Sequence, residues 1–211
     1  TRPKAIYVGA NDGMLHAINA ANTQAEGGGA ELFTYVPNAV FAQLPELAKH
    51  EYRHMYFVDG SPNSGDAYLG SAWKTVLLGT LGAGGKAVFA LDVTNPSTPF
   101  AASDVIWEFT DADLGHVMGR GFVARMNDGH WYAVFGNGYN SSAGKAALFL
   151  VPLDRSQSGL TAIKIEADTA GNNGLSEPAL IDTNGDKIID AAYAGDLKGN
   201  VWKFDLSGGS G

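Results

Sequence analysis

Residues 75–92 read TVLLG, TLGAGGK, AVFALD: an apolar run closed by Gly79, a glycine-rich link, and a second apolar run closed by Asp92. β-Branched and aromatic residues suit the pleated, half-buried surface of a strand, and glycine supplies the turn between two such runs. The stretch is therefore a β-hairpin by its own chemistry. The same statement is written three more times. AIYVG (5–9) leads through Asn11-Asp12-Gly13 to MLHAIN (14–19), and YAVFG (132–136) leads through Asn140 and Gly144 to ALFLVPLD (147–154). AAYAG (191–195) leads through Lys198-Gly199 to NVWKFD (200–205). Further strands fit between the hairpins at VIWEFT (105–110), GFVARM (121–126), AIKIEA (162–167) and PALID (178–182).

A recurring hairpin points to a radial array of copied units. The spacing of the later copies is about 60 residues, longer than the ~40–50 of common propeller blades, so the loops are elaborated. A β-sandwich also shows short strands at regular spacing but has no need to repeat its sequence. The expected fold is all-β: a partial β-propeller of about four blade-like repeats over residues 1–206. It is either a piece of a larger ring or a small ring closed in an unusual way, because an open ring exposes pairing edges. Residues 37–72 read as an insertion in the first blade. There Phe41, Leu44 and Leu47 after Pro37-Asn38 predict a short amphipathic helix, and YFVDGSP (56–62) predicts a strand running into a turn. The tail 207–211 (SGGSG) reads as a flexible linker or cloning scar.

Composition narrows the function. Twenty-eight glycines in 211 residues, about twice the ordinary ~7% share, suit many tight turns. A net charge of −8 repels phosphate backbones and argues against nucleic acid as a partner, while suiting a cation. There is no cysteine, which removes disulfide scaffolds, thiolate zinc sites and cysteine nucleophiles. No apolar run approaches the ~18 residues of a membrane span, and Thr1-Arg2-Pro3-Lys4 is not a signal peptide, so any export signal is expected outside this chain.

The stretch Asp182-Thr183-Asn184-Gly185-Asp186-Lys187-Ile188-Ile189-Asp190 places side-chain oxygens at positions 1, 3, 5 and 9. Calcium takes six to eight hard oxygen ligands, and in such loops position 7 adds a backbone carbonyl, here that of Ile188. The expected metal set is thus Asp182, Asn184, Asp186, Ile188 and Asp190, with Ca2+ as cofactor. Position 6, ordinarily glycine for its sharp turn, is Lys187. A lysine at positive φ costs on the order of 1 kcal/mol, and its ammonium can lie near the ion. The competing reading is an Asp/Asn/Gly turn without metal.

His50-Glu51-Tyr52-Arg53-His54 matches H-E-x-x-H, the pattern that sets two imidazoles one helical turn apart on zinc with a glutamate base. It gives an alternative function, a zinc metallohydrolase. Against it, His54 runs almost at once into the strand-like YFVDG, and Phe57 and Gly60 stand where the longer metzincin pattern needs Gly and His. GAGG (82–85) falls in a hairpin turn and not between strand and helix, as a phosphate loop requires. Asn140-Ser141-Ser142 is a glycosylation sequon on a turn. Trp73, Trp107, Trp131 and Trp202 are expected in blade packing and not in a ligand cage.

Side by side, NDGMLHAINA (11–20), ELFTYVPNAVF (31–41), YFVDGSP (56–62), WKTVLLGTLGAGGKAVFALDVT (73–94), FGNGY (135–139) and YAGDLKGNVWKFDL (193–206) resemble the C-terminal propeller of the PilY/PilC family of type IV pilus tip proteins. The resemblance implies a non-catalytic protein outside the cell, at the pilus tip or outer membrane of a bacterium. It implies association with minor pilins and adhesion to host-cell or abiotic surfaces. It further implies that a calcium loop, mapping onto Asp182, Asn184, Asp186, Ile188 and Asp190, regulates pilus extension against retraction. The family carries a histidine at the position of His54 without a zinc helix. A quinoprotein-like dehydrogenase, whose blades carry a similar apolar-glycine-turn repeat, is the remaining alternative.

Overall fold

In the computed structural model, which describes residues 3–96, 99–154 and 159–208, each repeated hairpin is the centre of an antiparallel sheet. The first sheet is β1 (Ala5–Gly9), β2 (Leu15–Asn19) and β3 (Glu31–Tyr35). The second is β4 (Asn63–Leu69), β5 (Ala72–Thr80), β6 (Val88–Asp92) and β7 (Val105–Phe109). The third is β8 (Phe122–Arg125), β9 (Trp131–Gly136), β10 (Ala146–Pro152) and β11 (Ile163–Asp168), and the fourth is β12 (Ala179–Ile181), β13 (Ala191–Gly195) and β14 (Val201–Asp205). In every sheet, neighbours in sequence are neighbours in space, the meander of a propeller blade.

Register shows that the four hairpins are one device. The closing glycines pair across their hairpins as Gly9 with Leu15, Gly79 with Phe89, Gly136 with Leu148 and Gly195 with Val201. A close approach demands the glycine in the first three copies: a Cβ on Gly9 would lie 2.3 Å from the Val58 carbonyl oxygen. A Cβ on Gly79 would lie 2.0 Å from the Phe89 ring, and one on Gly136 would lie 2.1 Å from the Ser176 carbonyl oxygen.

Each core cluster lies between two successive sheets. Leu15, Ala17, Phe33 and Tyr35 of the first sheet meet Leu77, Phe89 and Leu91 of the second. The opposite face of the second sheet, through Val76, Leu78 and Trp107, packs on Ala133, Phe135 and Phe149 of the third. Tyr132, Val134 and Leu148 then meet Ala192, Ala194 and Phe204 of the fourth. Alternate residues on one strand point to opposite faces, so a sheet between two others reads as an unbroken apolar run. β9, β10 and the buried half of β5 from Val76 onward do so, whereas β1 and β14, in the outer sheets, alternate between more and less exposed positions.

The segment 37–72 departs from the expected insertion. The helix expected through Phe41, Leu44 and Leu47 is a single turn, α1 (Asn38–Phe41), followed by a 3₁₀ segment at Leu44–Ala48. Phe41 is exposed, while Leu44 and Leu47 pack on the first core cluster. Glu108 receives the Asn38 N–H at 2.8 Å and the Tyr35 hydroxyl, fastening α1 to β7. YFVDGSP is not a strand but an irregular wedge with Phe57 and Val58 fully buried. Its backbone joins two sheets, through Val58 N–H to Ala10 C=O and Asp59 N–H to Leu81 C=O. Asn63–Leu69 is β4 and pairs with β5, so the last third of the segment belongs to the second blade. Of the tail expected at 207–211, residues 209–211 lie outside the described residues.

Candidate metal centre

The loop 182–190 joins β12 to β13, and both ends are tied by strand-like bonds: Asp190 N–H to Ile181 C=O at 2.9 Å and Leu206 N–H to Asp190 C=O at 2.8 Å. Between them the chain curls around its own acidic side chains. Asp182 accepts Gly185 N–H at 2.7 Å on Oδ1 and Lys187 N–H at 2.9 Å on Oδ2. Asn184 Oδ1 accepts Asp186 N–H at 2.9 Å, and Asp186 Oδ1 accepts Ile188 N–H at 2.8 Å. Asp190 Oδ2 accepts Thr183 N–H at 2.8 Å and the Thr183 hydroxyl at 2.5 Å. Two residues take positive φ, Gly185 at 83° and Lys187 at 71°, so the lysine adopts the left-handed conformation its position requires.

These bonds set the electrostatics. The Lys187 N–H, with lesser help from Gly185, Asn184 and Asp186 N–H groups, holds the Asp182 carboxyl below the usual carboxylate range against a partial desolvation that raises it. Asp182 therefore keeps its charge at neutral pH. Its donor set fits a hard cation: three carboxylates, one amide oxygen and one backbone carbonyl on an exposed curl. The carboxylates are at present engaged with backbone N–H groups. Among the described residues no three carboxylate or imidazole side chains converge at metal distance, so binding would need the side chains of this loop to turn inward.

The zinc pattern does not survive folding. His50 to His54 follow the 3₁₀ segment as irregular, exposed chain, so no helix presents two imidazoles on one face. The His54 ring instead packs edge-on against Tyr56, with centroids 5.2 Å apart. Trp107 is buried, as expected of blade packing, and its indole N–H donates to Pro152 C=O at 3.0 Å. Trp73 corrects the same expectation: it is 62% exposed at the start of β5. Its signal in the sequence was the Leu69-Gly70-Ser71-Ala72 turn, which pairs it with Tyr68 at a hairpin tip.

With this geometry in place, comparison with known proteins is decisive: the family profile of the PilY1 β-propeller domain matches residues 1–211. The chain belongs to that family. It is 47% identical over 222 residues to a type IV pilus biogenesis factor PilY1 homolog of Xylella fastidiosa (strain Temecula1), covering 99% of this chain and 14% of the relative. It is 45% identical to the type IV pilus biogenesis factor PilY1 of Pseudomonas aeruginosa (strain UCBPP-PA14), covering 98% of this chain and 17% of that protein. The crystal structure of the Pseudomonas aeruginosa PilY1 C-terminal domain superposes with a TM-score of 0.77 at 42% identity, over 98% of this chain and 39% of the solved one. This PilY1-type propeller thus spans less than a fifth of these curated relatives. No helix among its described residues is long and apolar enough to cross a membrane.

Proposed function

We propose that this PilY1-type propeller is a non-catalytic, calcium-responsive module of a pilus-tip protein, exposed at the bacterial surface. Through it the parent protein adheres to host-cell or abiotic surfaces, meets minor pilins, and shifts the balance of pilus extension and retraction. The observation carrying the calcium part is the loop 182–190, where Asp182, Asn184, Asp186 and Asp190 alternate along an exposed curl between two strands of one blade. Those side chains and the Ile188 carbonyl would hold the ion. When bound, calcium supplies positive charge to the three carboxylates of the loop and a fixed point for the curl. The chain's own part is to present the oxygens and relay their position. Ile189 N–H donates to Arg125 C=O at 3.0 Å, which joins the end of the loop to β8 of the preceding blade. A change in the curl is thereby felt between two blades. The pilus part rests on the names of the relatives, which are pilus biogenesis factors.

A ligand present at ~100 times its dissociation constant adds roughly 2.7 kcal/mol of stability. For a chain of this size that raises the melting temperature by about 5–10 °C. Calcium titration followed by thermal melting is expected to show that rise, and Asp186→Ala to abolish it. An unchanged melting temperature at millimolar calcium would overturn the calcium reading.

A further inference from the structure

Two hairpin tips from successive blades face each other across a cavity. On the second sheet, Gly70 (φ 56°) and Ser71 (φ 69°) form a two-residue turn with both central residues left-handed, which matches the twist of the strands it joins. That turn sets Tyr68 directly opposite Trp73, with the two rings edge to face at 5.7 Å. On the third sheet, Met126 N–H donates to His130 C=O at 2.9 Å and closes the turn that pairs Arg125 with Trp131. The Trp131 ring meets Trp73 at 5.8 Å and 74°. Three aromatic rings from two blades thus form one continuous surface.

Trp131 packs partly on the core between the second and third sheets, but the other two rings are largely outside it. Tyr68 is half exposed and Trp73 nearly two-thirds exposed. Single exposed apolar residues are ordinary on a protein surface, but contiguous aromatic patches mark interaction sites. The cavity between the tips measures about 360 Å3, within the range of ~300–1,000 Å3 usual for ligand sites. Arg125, His130 and Asp154 line it beside the aromatics. Arg125 is exposed and His130 partly exposed, and neither side chain has a hydrogen-bonded partner among the described residues.

We propose that this cavity is a saccharide site that takes a pyranose ring of a neutral glycan. The less polar C–H face of such a ring lies flat on an indole or phenol face, while its hydroxyls both donate and accept. Trp73, Tyr68 and Trp131 supply the faces. Arg125 offers donors, and His130 offers a donor or an acceptor. A polyanionic ligand is disfavoured by the chain's charge of −8. A quaternary ammonium, the other ligand of aromatic cages, is disfavoured by the guanidinium at the rim. The proposal deepens the adhesion reading by naming a ligand class, and it is independent of the calcium loop.

The test is a printed array of neutral and charged oligosaccharides probed with the intact 211-residue chain, followed by titration of the best neutral hit with tryptophan fluorescence as readout. Saturable binding to neutral glycans is expected, with an indole blue shift. Trp73→Ala should weaken it at least tenfold and Arg125→Ala at least threefold, with melting temperatures within about 2 °C of wild type because both side chains are exposed. Trp131→Phe, which keeps an aromatic face, should retain most of the affinity. The proposal fails if no neutral glycan binds, if Trp73→Ala binds as wild type, or if choline or a proline-rich peptide competes for the cavity better than any sugar. Attachment of cells carrying Trp73→Ala separates the two readings. Attachment that survives the substitution sinks the sugar site as the adhesive element and leaves adhesion standing, and loss in both wild type and variant sinks adhesion itself.

Discussion

Lys187 shows how one residue tunes a loop. Its φ of 71° is a conformation that glycine takes freely and that costs lysine on the order of 1 kcal/mol. Lys187→Gly relieves that strain but loosens the unfolded chain by a comparable ~0.4–1 kcal/mol. Without calcium its melting temperature should therefore stay within about 2 °C of wild type. Its calcium affinity, read by titration calorimetry, should rise several-fold, because a positive charge is removed from the loop that would receive the ion. A second residue reports pH. His16 Nδ1 lies 2.6 Å from Glu31 and Nε2 2.9 Å from Asp12, and the Glu31 hydrogen bond, aided by Asp12, raises its pKa above 6.5 against a desolvation that lowers it. A raised folded pKa means the stabilisation is fully present below ~6.5 and is lost as pH climbs through the raised value. The site is partly exposed, so the effect is that of a surface pair, ~0.2–1 kcal/mol or about 1–3 °C. Melting at pH 6 should exceed melting at pH 8.5 by that amount, and His16→Gln should flatten the difference.

At the scale of the element, the repeated hairpin sorts its glycines into two kinds. Gly136 lies against the Ser176 and Leu175 carbonyls, where a Cβ would approach within 2.1 and 2.7 Å. Gly195, at the same register position of the last hairpin, has 3.6 Å to its nearest neighbour. Gly136→Ala should cost about 1–3 kcal/mol through overpacking and lower the melting temperature by roughly 3–10 °C. Gly195→Ala should cost far less, and equal effects of the two in thermal denaturation would contradict this account. Beside Gly136, the buried Asn137 side chain donates to Asp113 and Lys145 carbonyls and accepts Ala147 and Leu175 N–H groups, so one side chain fastens a loop of each neighbouring element to β9. The hairpins were legible because both strands and the turn lie within about 20 residues. β3 and β4 were not, although each pairs with its neighbour in sequence: NSGDAYL carries few β-branched or aromatic residues, and ELFTY is set apart from β2 by the loop between Asn19 and Glu31.

For the whole molecule, stability rests on contacts between blades. Phe135 is fully buried between the second and third sheets, stacked on Phe149 at 5.8 Å and edge-on to Phe109 at 6.0 Å. Phe135→Ala should cost about 3–5 kcal/mol, since it opens a cavity that two sheets must close, and lower the melting temperature by roughly 6–20 °C. The outer sheets differ. Ile6 and Val8 on β1, and Tyr193 and Val201 on the last sheet, are 56%, 44%, 40% and 77% exposed. Their alternating pattern and the continuous apolar runs of β5, β9 and β10 are one rule, applied to sheets with one packed neighbour and with two.

The sequence alone determined the repeat, the all-β class, the family resemblance and the acidic curl at 182–190, because each is written in residues close together along the chain. The tertiary structure decided what depends on partners brought from afar. It made YFVDGSP a buried wedge between two blades, because Phe57 and Val58 fill space that only the packed sheets define. It denied His50 and His54 a common helical face, because Leu44 and Leu47 are drawn onto the core and the chain leaves its last 3₁₀ turn at Ala48. It also placed Trp73 in solvent beside Trp131, because the meeting of two hairpin tips is set by how whole blades pack.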